Sequence, residues 1–309
     1  MYEVTIIGGG PGGVAAGIYA ARKKLNAILV ADSFGGQSVV SNDIQNWIGI
    51  KTISGFDLAK QLEEHLKAQT GIEIVEGDRV LKIEKQKKGF VVTTQEGKSW
   101  GTQTILLAIG SRRRELNVSG EKEFWGNGVA YCGTCDAPLF AGKRVAVVGG
   151  GNSGLETVLD LVPYAKEIFL LHRNSMLKGD PITQEKIRKE PKVALLLNTE
   201  VQMIMGKKTV TGLHYRKAGT KKEFTLDVEG VFVEIGSVPN ADLVKDFVEL
   251  NTWGQIVVDH KTQRSSDPGI WAAGDVTDGF YKQNNISVGD SIKAVMNIYD
   301  ALRAKGQMV

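Results

Sequence analysis

Val4-Thr5-Ile6-Ile7-Gly8-Gly9-Gly10-Pro11-Gly12-Gly13 is the stretch that decides the fold. A short strand runs into glycines spaced G-x-G-x-x-G at Gly8, Gly10 and Gly13, and the Ala-rich segment Val14 to Ala21 that follows reads as a helix. Strand, glycine turn and helix in this order make a dinucleotide fingerprint: the backbone can approach a pyrophosphate, and the helix N-terminus favours its charge. The next strand, Asn26 to Val30, ends at Ala31-Asp32. An acid there would accept a hydrogen bond from a ribose 2′-hydroxyl.

The same plan restarts at Val145-Ala146-Val147-Val148-Gly149-Gly150-Gly151-Asn152-Ser153-Gly154, with a helix over Leu155 to Val162 and a strand over Ile168 to Leu171. Gly10 and Gly151 lie 141 residues apart, and the Ile-Gly pairs closing the two units, Ile109-Gly110 and Ile235-Gly236, lie 126 apart. So steady an offset is an internal repeat, the second copy about 15 residues shorter. Alternating segments at Ile72–Val75, Val80–Glu84 and Phe90–Thr94 predict a small β-meander in the first copy, and Val193 to Leu226 holds its counterpart. Gly55 to Gln69 reads as an amphipathic helix with Phe56, Leu58, Leu62 and Leu66 on its apolar face. The remaining chain offers a strand at Ile256–Asp259, a strand ending in Gly274-Asp275, and a helix from Ser287 to Arg303.

That tail is too short for its own domain and is expected to complete the first one. The fold class is therefore α/β: two Rossmann-like, three-layer, parallel-sheet nucleotide-binding domains, the second inserted into the first, each with a small β-meander. The expected division is 1–114, 115–240 and 241–309, with crossings near 111–116 and 239–244. Arg112-Arg113-Arg114 at the first crossing reads as solvated charge.

The repeat also allows a comparison of ligands. The residue 141 positions after Asp32 is Arg173. An acid suits a bare ribose, as in FAD or NAD, whereas an arginine suits a 2′-phosphate. The first unit would then hold a nucleotide with a free ribose and the second NADPH, with His172 and Lys178 adding positive charge; a merely solvated Arg173 is the other reading.

Composition fits this plan. Glycine makes up 37 of 309 residues, roughly 12% against an ordinary 7%, and the excess sits largely in the nucleotide loops. The net charge of +3 is too small to mark a nucleic-acid surface. No apolar run approaches the roughly 18 residues of a membrane span. A first strand beginning at Tyr2 leaves no space for a secretory leader, so the expected compartment is cytoplasmic.

The only two cysteines stand in Tyr131-Cys132-Gly133-Thr134-Cys135-Asp136-Ala137-Pro138, between the two fingerprints. Zinc would need four ligands, and His65, His172, His214 and His260 show no matching spacing, so no metal is expected. A structural disulfide is a second reading. The third is a redox-active pair, the use to which a lone C-x-x-C in a chain without a leader is put. Asp136 is then a candidate acid for the departing thiolate, and also a candidate N-cap ahead of Ala137-Pro138. Because a nicotinamide delivers hydride while a disulfide takes up two electrons, a flavin is the expected intermediary, in the order NAD(P)H, FAD, disulfide, partner.

These residues together resemble low-molecular-weight thioredoxin reductase, a member of the flavoproteins with two dinucleotide-binding domains. The resemblance covers nearly the whole chain. It rests on Gly8–Gly13, Gly35-Gly36-Gln37, Asn46-Trp47, Cys132-Gly133-Thr134-Cys135-Asp136, Gly149–Gly154, Glu156 and Ala273-Gly274-Asp275. It implies FAD in the first domain, with Gly8, Gly10, Pro11, Gly13, Asp32, Gly36, Gln37, Asn46, Gly110 and Gly274 around it, Asp275 on the ribityl chain and Gln283 near the isoalloxazine. It implies NADPH in the second, at Gly149, Gly151, Asn152, Ser153, Glu156, His172, Arg173 and Lys178, and it implies a homodimer. Cys135 would face the flavin, Cys132 would attack the disulfide of a thioredoxin or thioredoxin-like protein, and Asp136 would be the acid. The two crossings would act as hinges. A thioredoxin partner sets the disulfide poise near about −270 mV.

Some positions depart from that pattern. Where the family reads His-Arg-Arg-x-x-x-Arg, this chain reads His172-Arg173-Asn174-Ser175-Met176-Leu177-Lys178, and lysine keeps the charge but not the bidentate geometry. Ala108-Ile109-Gly110 replaces Ala-Thr-Gly, and Gly154 stands where alanine is common. Ala137-Pro138-Leu139-Phe140 and Tyr281-Lys282-Gln283 look more like the flavoprotein subunit of alkyl hydroperoxide reductase and like ferredoxin-linked flavin thioredoxin reductases. The first of these has an additional N-terminal thioredoxin-like module that an external partner would replace. Two alternatives follow: a ferredoxin- or NADH-linked reductase of a glutaredoxin-like or peroxiredoxin partner, and a non-enzymatic flavin-binding sensor whose nicotinamide site has decayed.

Overall fold

Alternation along the strands sets the layers. The computed structural model describes residues 1–41, 44–217, 219–220 and 222–306. The chain begins with β1 (Tyr2–Ile7), α1 (Pro11–Arg22), β2 (Ala27–Ala31), α2 (Gly55–Lys67), β3 (Ile72–Glu76), β4 (Val80–Lys85), β5 (Phe90–Thr94), β6 (Ser99–Leu107) and β7 (Ser111–Arg113). In this first unit Val4, Ile6, Leu29 and Leu106 point to one face of the sheet and pack on Val14 and Ile18 of α1. Their neighbours Ile7, Ile28, Val30, Ile105 and Leu107 point to the other face, against Val80, Ile83, Phe90 and Val92. Period-two alternation between two apolar layers forces three layers. Full burial of each large aliphatic contributes about 1.5–3 kcal/mol.

β1 lies parallel between β2 and β6, and β3 adds a parallel edge next to β2. The expected meander is thus differently composed: Ile72–Glu76 joins the parallel sheet, and β4, β5 and the first half of β6 make the antiparallel part. β6 serves both, its first half pairing β5 and its second half the parallel strands. Phe56 is 66% exposed, because the buried face of α2 runs through Leu58, Leu62 and Leu66 and Phe56 lies about 200° round the helix from Leu58. Ser54 caps α2, accepting from Asp57 N at 3.0 Å.

The second unit contains β8 (Val129–Ala130), α3 (Gly133–Asp136), β9 (Arg144–Val148), α4 (Asn152–Leu161), β10 (Glu167–His172), α5 (Pro181–Lys189), β11 (Val193–Leu197), β12 (Thr199–Gly206), β13 (Val210–Lys217), β14 (Glu223–Leu226) and β15 (Gly230–Val233). Its parallel sheet has the order β11-β10-β9-β15-β8, and β12, β13 and β14 form a separate antiparallel sheet. Val145, Val147, Ile168, Leu170 and Phe232 pack on Leu155, Val158 and Leu161 of α4, whereas Val148, Phe169, Leu171, Val231 and Val233 pack towards Val201, Ile204 and Leu213.

The chain leaves the first unit along β7 and returns along β16 (Ser237–Pro239), and these two strands pair with each other. Met1–Asn42, Trp47–Arg112 and Val238–Val309 make one compact unit; Asp43–Asn46 and Arg113–Ser237 make the other. The returning segment supplies β17 (Ile270–Ala272), parallel to β6, and α6 (Asn284–Gly306), which packs on α1. Ile256–Asp259 makes only isolated bridges. The Asn251 side chain accepts from Trp253 N and Gln255 N just before it, and Val258 N donates to Asp278 Oδ1, so side chains take bonds a strand ladder would need. No helix among the described residues is long and apolar enough to cross a membrane.

Candidate active site

The two glycine turns are built alike. Gly8 and Gly149 have φ of +119° and +138°, and a Cβ on either would lie 2.3 Å from Ala108 O or 2.1 Å from Glu234 O, the carbonyl ending the neighbouring strand. A Cβ on Gly13 or Gly154 would lie 1.8 or 2.0 Å from the carbonyl of Gly8 or Gly149, so each helix sits tight on its own turn. At Gly154, where alanine is common, this chain therefore has no space for the extra methyl. The middle glycines are open: a Cβ on Gly10 would meet only Gly36 Cα at 3.9 Å, and one on Gly151 nothing within 4 Å. An uncovered backbone between two packed glycines suits close approach of a diphosphate.

In the first unit a cavity of about 620 Å3 opens over this turn. Gly8, Gly10, Pro11, Asp32, Gly36, Gln37, Gly110, Gly274 and Asp275 line it, while Gly13 lies beneath the turn. Asp32 follows the last residue of β2, and Arg79, absent from the sequence-based candidates, grips its Oδ2 at 2.7 Å. Gln37 donates through Nε2 to Ser111 O. Two candidates lie outside the lining. Gln283 immediately precedes α6, its carbonyl accepting from Ser287 N, and Asn284 and Ser287 face the cavity in its stead. Asn46 belongs to the second unit, with Nδ2 3.9 Å from Cys135 Sγ. Lys282, also unforeseen, donates to Thr277 O at 2.6 Å, and burial pushes its ammonium pKa down.

In the second unit Asn152 and Ser153 open α4, and Asn152 Oδ1 accepts from Asp180 N at 2.7 Å. Lys178 N donates to Gly150 O, folding the 174–180 loop onto the turn. Glu156, Arg173 and Lys178 are exposed. His172 is buried with its ring under Gly150, and burial lowers its pKa, with Lys178 and Arg173 adding to the effect. The expected positive charge thus comes from Arg173 and Lys178 alone.

Cys132 and Cys135 form a disulfide, Cα atoms 5.3 Å apart, and Cys132 Sγ caps α3 by accepting from Cys135 N at 3.2 Å. Asp136 occupies the N-cap position of the short 3-10 turn Ala137–Phe140 but makes no side-chain cap bond. Burial instead raises its pKa from 3.8 to about 6, against the opposing charge of Arg113. Arg113, expected to be simply solvated, has its guanidinium 5.7 Å from the Tyr131 ring centre. A second carboxyl, Glu234, follows β15; burial raises its pKa from 4.5 to about 7. It accepts from Thr157 Oγ1 at 3.1 Å and from the Gly133 amide. Sequence reasoning missed Glu234, although an acid ending Val231-Phe232-Val233, where the first unit has Ala108, was the available signal.

A disulfide flanked by proton-retaining carboxyls, in a chain with two dinucleotide turns, matches known proteins throughout. Residues 2–302 match the family described as pyridine nucleotide-disulphide oxidoreductase. The chain belongs to that family. As a pyridine nucleotide-disulphide oxidoreductase it is a flavoprotein that uses FAD and a pyridine nucleotide. Within this family it is 42% identical over 304 residues to a subunit of the alkyl hydroperoxide reductase of Pseudomonas putida. It is 40% identical over 301 residues to a protein named NADH dehydrogenase of Bacillus subtilis (strain 168). Each alignment covers 97% of this chain, and this chain spans 58% of the length of either relative. The crystal structure of thioredoxin reductase from Streptococcus pyogenes superposes with a TM-score of 0.90 at 33% identity, over 98% of this chain and 99% of that one. The open Gly10 backbone, the cavity beside it and the Asp32 carboxylate fit the diphosphate and ribose of FAD.

Proposed function

We propose that the chain is an FAD-dependent disulfide reductase that takes electrons from NADPH and passes them through Cys132 and Cys135 to a thioredoxin or thioredoxin-like protein. One observation carries this reading: the disulfide caps α3 beside Asp136, a carboxyl that holds its proton up to about pH 6. FAD would lie along Gly8, Gly10 and Pro11 with its ribose at Asp32, and NADPH along Gly149, Gly151, Asn152 and Ser153 with its 2′-phosphate at Arg173 and Lys178. The chemistry a bound FAD would supply is uptake of a hydride and release of an electron pair to the disulfide.

The remaining steps belong to the chain. Once the pair is reduced, the Cys132 thiolate attacks one sulfur of the partner's disulfide, that bond breaks, and a mixed disulfide forms while the partner's departing sulfur takes a proton. Cys135 then attacks Cys132 Sγ, releasing the second partner thiol and reforming Cys132–Cys135. Two electrons leave the pair and two partner thiols form, so each departing thiolate needs a proton, and Asp136 would supply one.

A second reading has NADH as donor and a peroxiredoxin-type partner, favoured by Asn174, Lys178 and the similarity to the Pseudomonas putida alkyl hydroperoxide reductase chain. Anaerobic titration of the flavin with NADPH and NADH side by side decides the donor. NADPH-driven thioredoxin reduction that survives Cys135→Ser would overturn the route through the dithiol.

A further inference from the structure

Two carboxyls, not one, stand at the dithiol. Asp136 ends α3, which Cys132 caps, and Glu234 reaches the other end of that helix, where the Gly133 amide donates to it. The space between is fixed: a Cβ on Gly133 would lie 2.5 Å from Thr157 Oγ1, the hydroxyl that donates to Glu234 Oε1. Arg113 acts electrostatically on both carboxyls, and the charge of Asp136 is felt at Glu234. On α4, Asp160 is engaged by Thr134 Oγ1 at 2.9 Å. Tyr131 is engaged by buried Glu121 at 3.0 Å, and Arg113 faces its ring. The groups acting on Glu234 are thus Arg113, Asp136, Thr157 and the Gly133 amide.

We propose that Glu234 is a positioning residue of the dithiol, sharing one proton with Asp136 beside Arg113 and so keeping that proton available to the sulfur that departs when the Cys132–Cys135 bond opens. Neighbouring carboxyls lose their protons in two steps that belong to the pair. With burial raising one to about 6 and the other to about 7, the pair carries about one proton near pH 6.5, midway between the two steps, and somewhat over half of one at pH 7. When a thiolate attacks one sulfur, a new S–S bond forms and the Cys132–Cys135 bond breaks. Its electron pair stays on the departing sulfur, which takes the shared proton through Asp136 and leaves both carboxyls ionised.

This inference rests on the pair being redox-active, and its test needs neither a nicotinamide nucleotide nor a protein partner. Opening of the disulfide in the flavin-loaded chain by reduced dithiothreitol is timed by thiol labelling for wild type and Glu234→Gln across about pH 5 to 8.5. The variant-to-wild-type ratio at each pH cancels the reagent's own titration. Glutamine keeps an acceptor for Thr157 and Gly133 but holds no proton. The ratio should stay within about twofold at pH 5.5 and fall about tenfold by pH 8, one pH unit separating the two steps. Thr157→Val, which removes a donor to the carboxylate, should make the pair hold its proton to higher pH and raise the ratio above one at pH 8; it also serves if Glu234→Gln folds poorly. A ratio independent of pH would reduce Glu234 to a structural anchor, and one that rises with pH would make it only a repelling charge. Either overturns the proposal. A disulfide that dithiothreitol cannot open in wild type would instead sink the redox reading itself.

Discussion

Replacing Asp136 by asparagine should stabilise the protein and slow it at once. Burial holds this carboxyl at about 6 against an ordinary 3.8, with Arg113 pulling the other way. Below about pH 3.8 it is neutral in both the folded and unfolded chain and costs nothing. As pH rises from there the unfolded chain sheds a proton that the folded chain keeps, so folding loses stability; above about 6 both forms are ionised and the loss is complete. A gap of about two pH units corresponds to about 3 kcal/mol. Solvent screening at a partly exposed group brings that to about 2 kcal/mol.

An asparagine at this position would titrate nowhere in this range. Urea unfolding of wild type and Asp136→Asn, with the disulfide oxidised, should therefore give equal stabilities near pH 4 and a gain of about 2 kcal/mol for the variant at pH 8. Opening of the Cys132–Cys135 bond should meanwhile slow by about 100-fold or more, the usual contribution of a positioned acid. A gain of the same size at every pH would show that asparagine improves packing and that no buried charge was relieved. A loss at pH 8 would show that the carboxylate is held by partners strong enough to offset its burial. Either result refutes the reasoning.

Arg173→Ala should lower kcat/KM for NADPH at least tenfold, as loss of a charge-assisted bond of about 1.5–3 kcal/mol requires, and leave NADH within about twofold; Lys178→Arg should move the ratio towards NADPH, and steady-state kinetics with both nucleotides check this. Gly10→Ala adds a methyl that the protein itself does not contact within 3.9 Å, so the variant should melt like wild type but bind flavin poorly, as the flavin-to-protein absorbance ratio reports. Gly13→Ala forces a Cβ to within 1.8 Å of Gly8 O and should instead lower the melting temperature, by overpacking worth about 1–3 kcal/mol or more.

Local patterns that repeat were legible in the sequence; features made by distant strands were not. The glycine turns at Gly8–Gly13 and Gly149–Gly154 could be read because each role is fixed within six residues and a strand and helix flank it. The place of Ile72–Glu76 could not, since the same alternation serves a meander strand and a parallel edge strand, and only pairing with Ala27–Ala31 separates them. Arg79 and Lys282 escaped because nothing near them in sequence announces Asp32 or Thr277 as partners. Arg113 looked like one of three solvated arginines, although its neighbours Arg112 and Arg114 lack its place at the Tyr131 ring. His172 was misread in charge and not in position: being last on a strand paired on both sides buries its ring under Gly150.

The repeat explains why a second carboxyl stands where it does. In both units the strand next to the glycine turn ends on a carbonyl that the first glycine must approach, Ala108 O in one and Glu234 O in the other. The backbone at that point is therefore held by the turn, and only the side chain is left to vary. In the first unit the side chain is a methyl and the position lines the cavity. In the second it is a carboxyl, aimed at the amide that follows Cys132. A residue whose backbone serves the nucleotide turn while its side chain serves the dithiol is fixed by both sites, so its carboxyl stands at the Gly133 amide without a loop to place it.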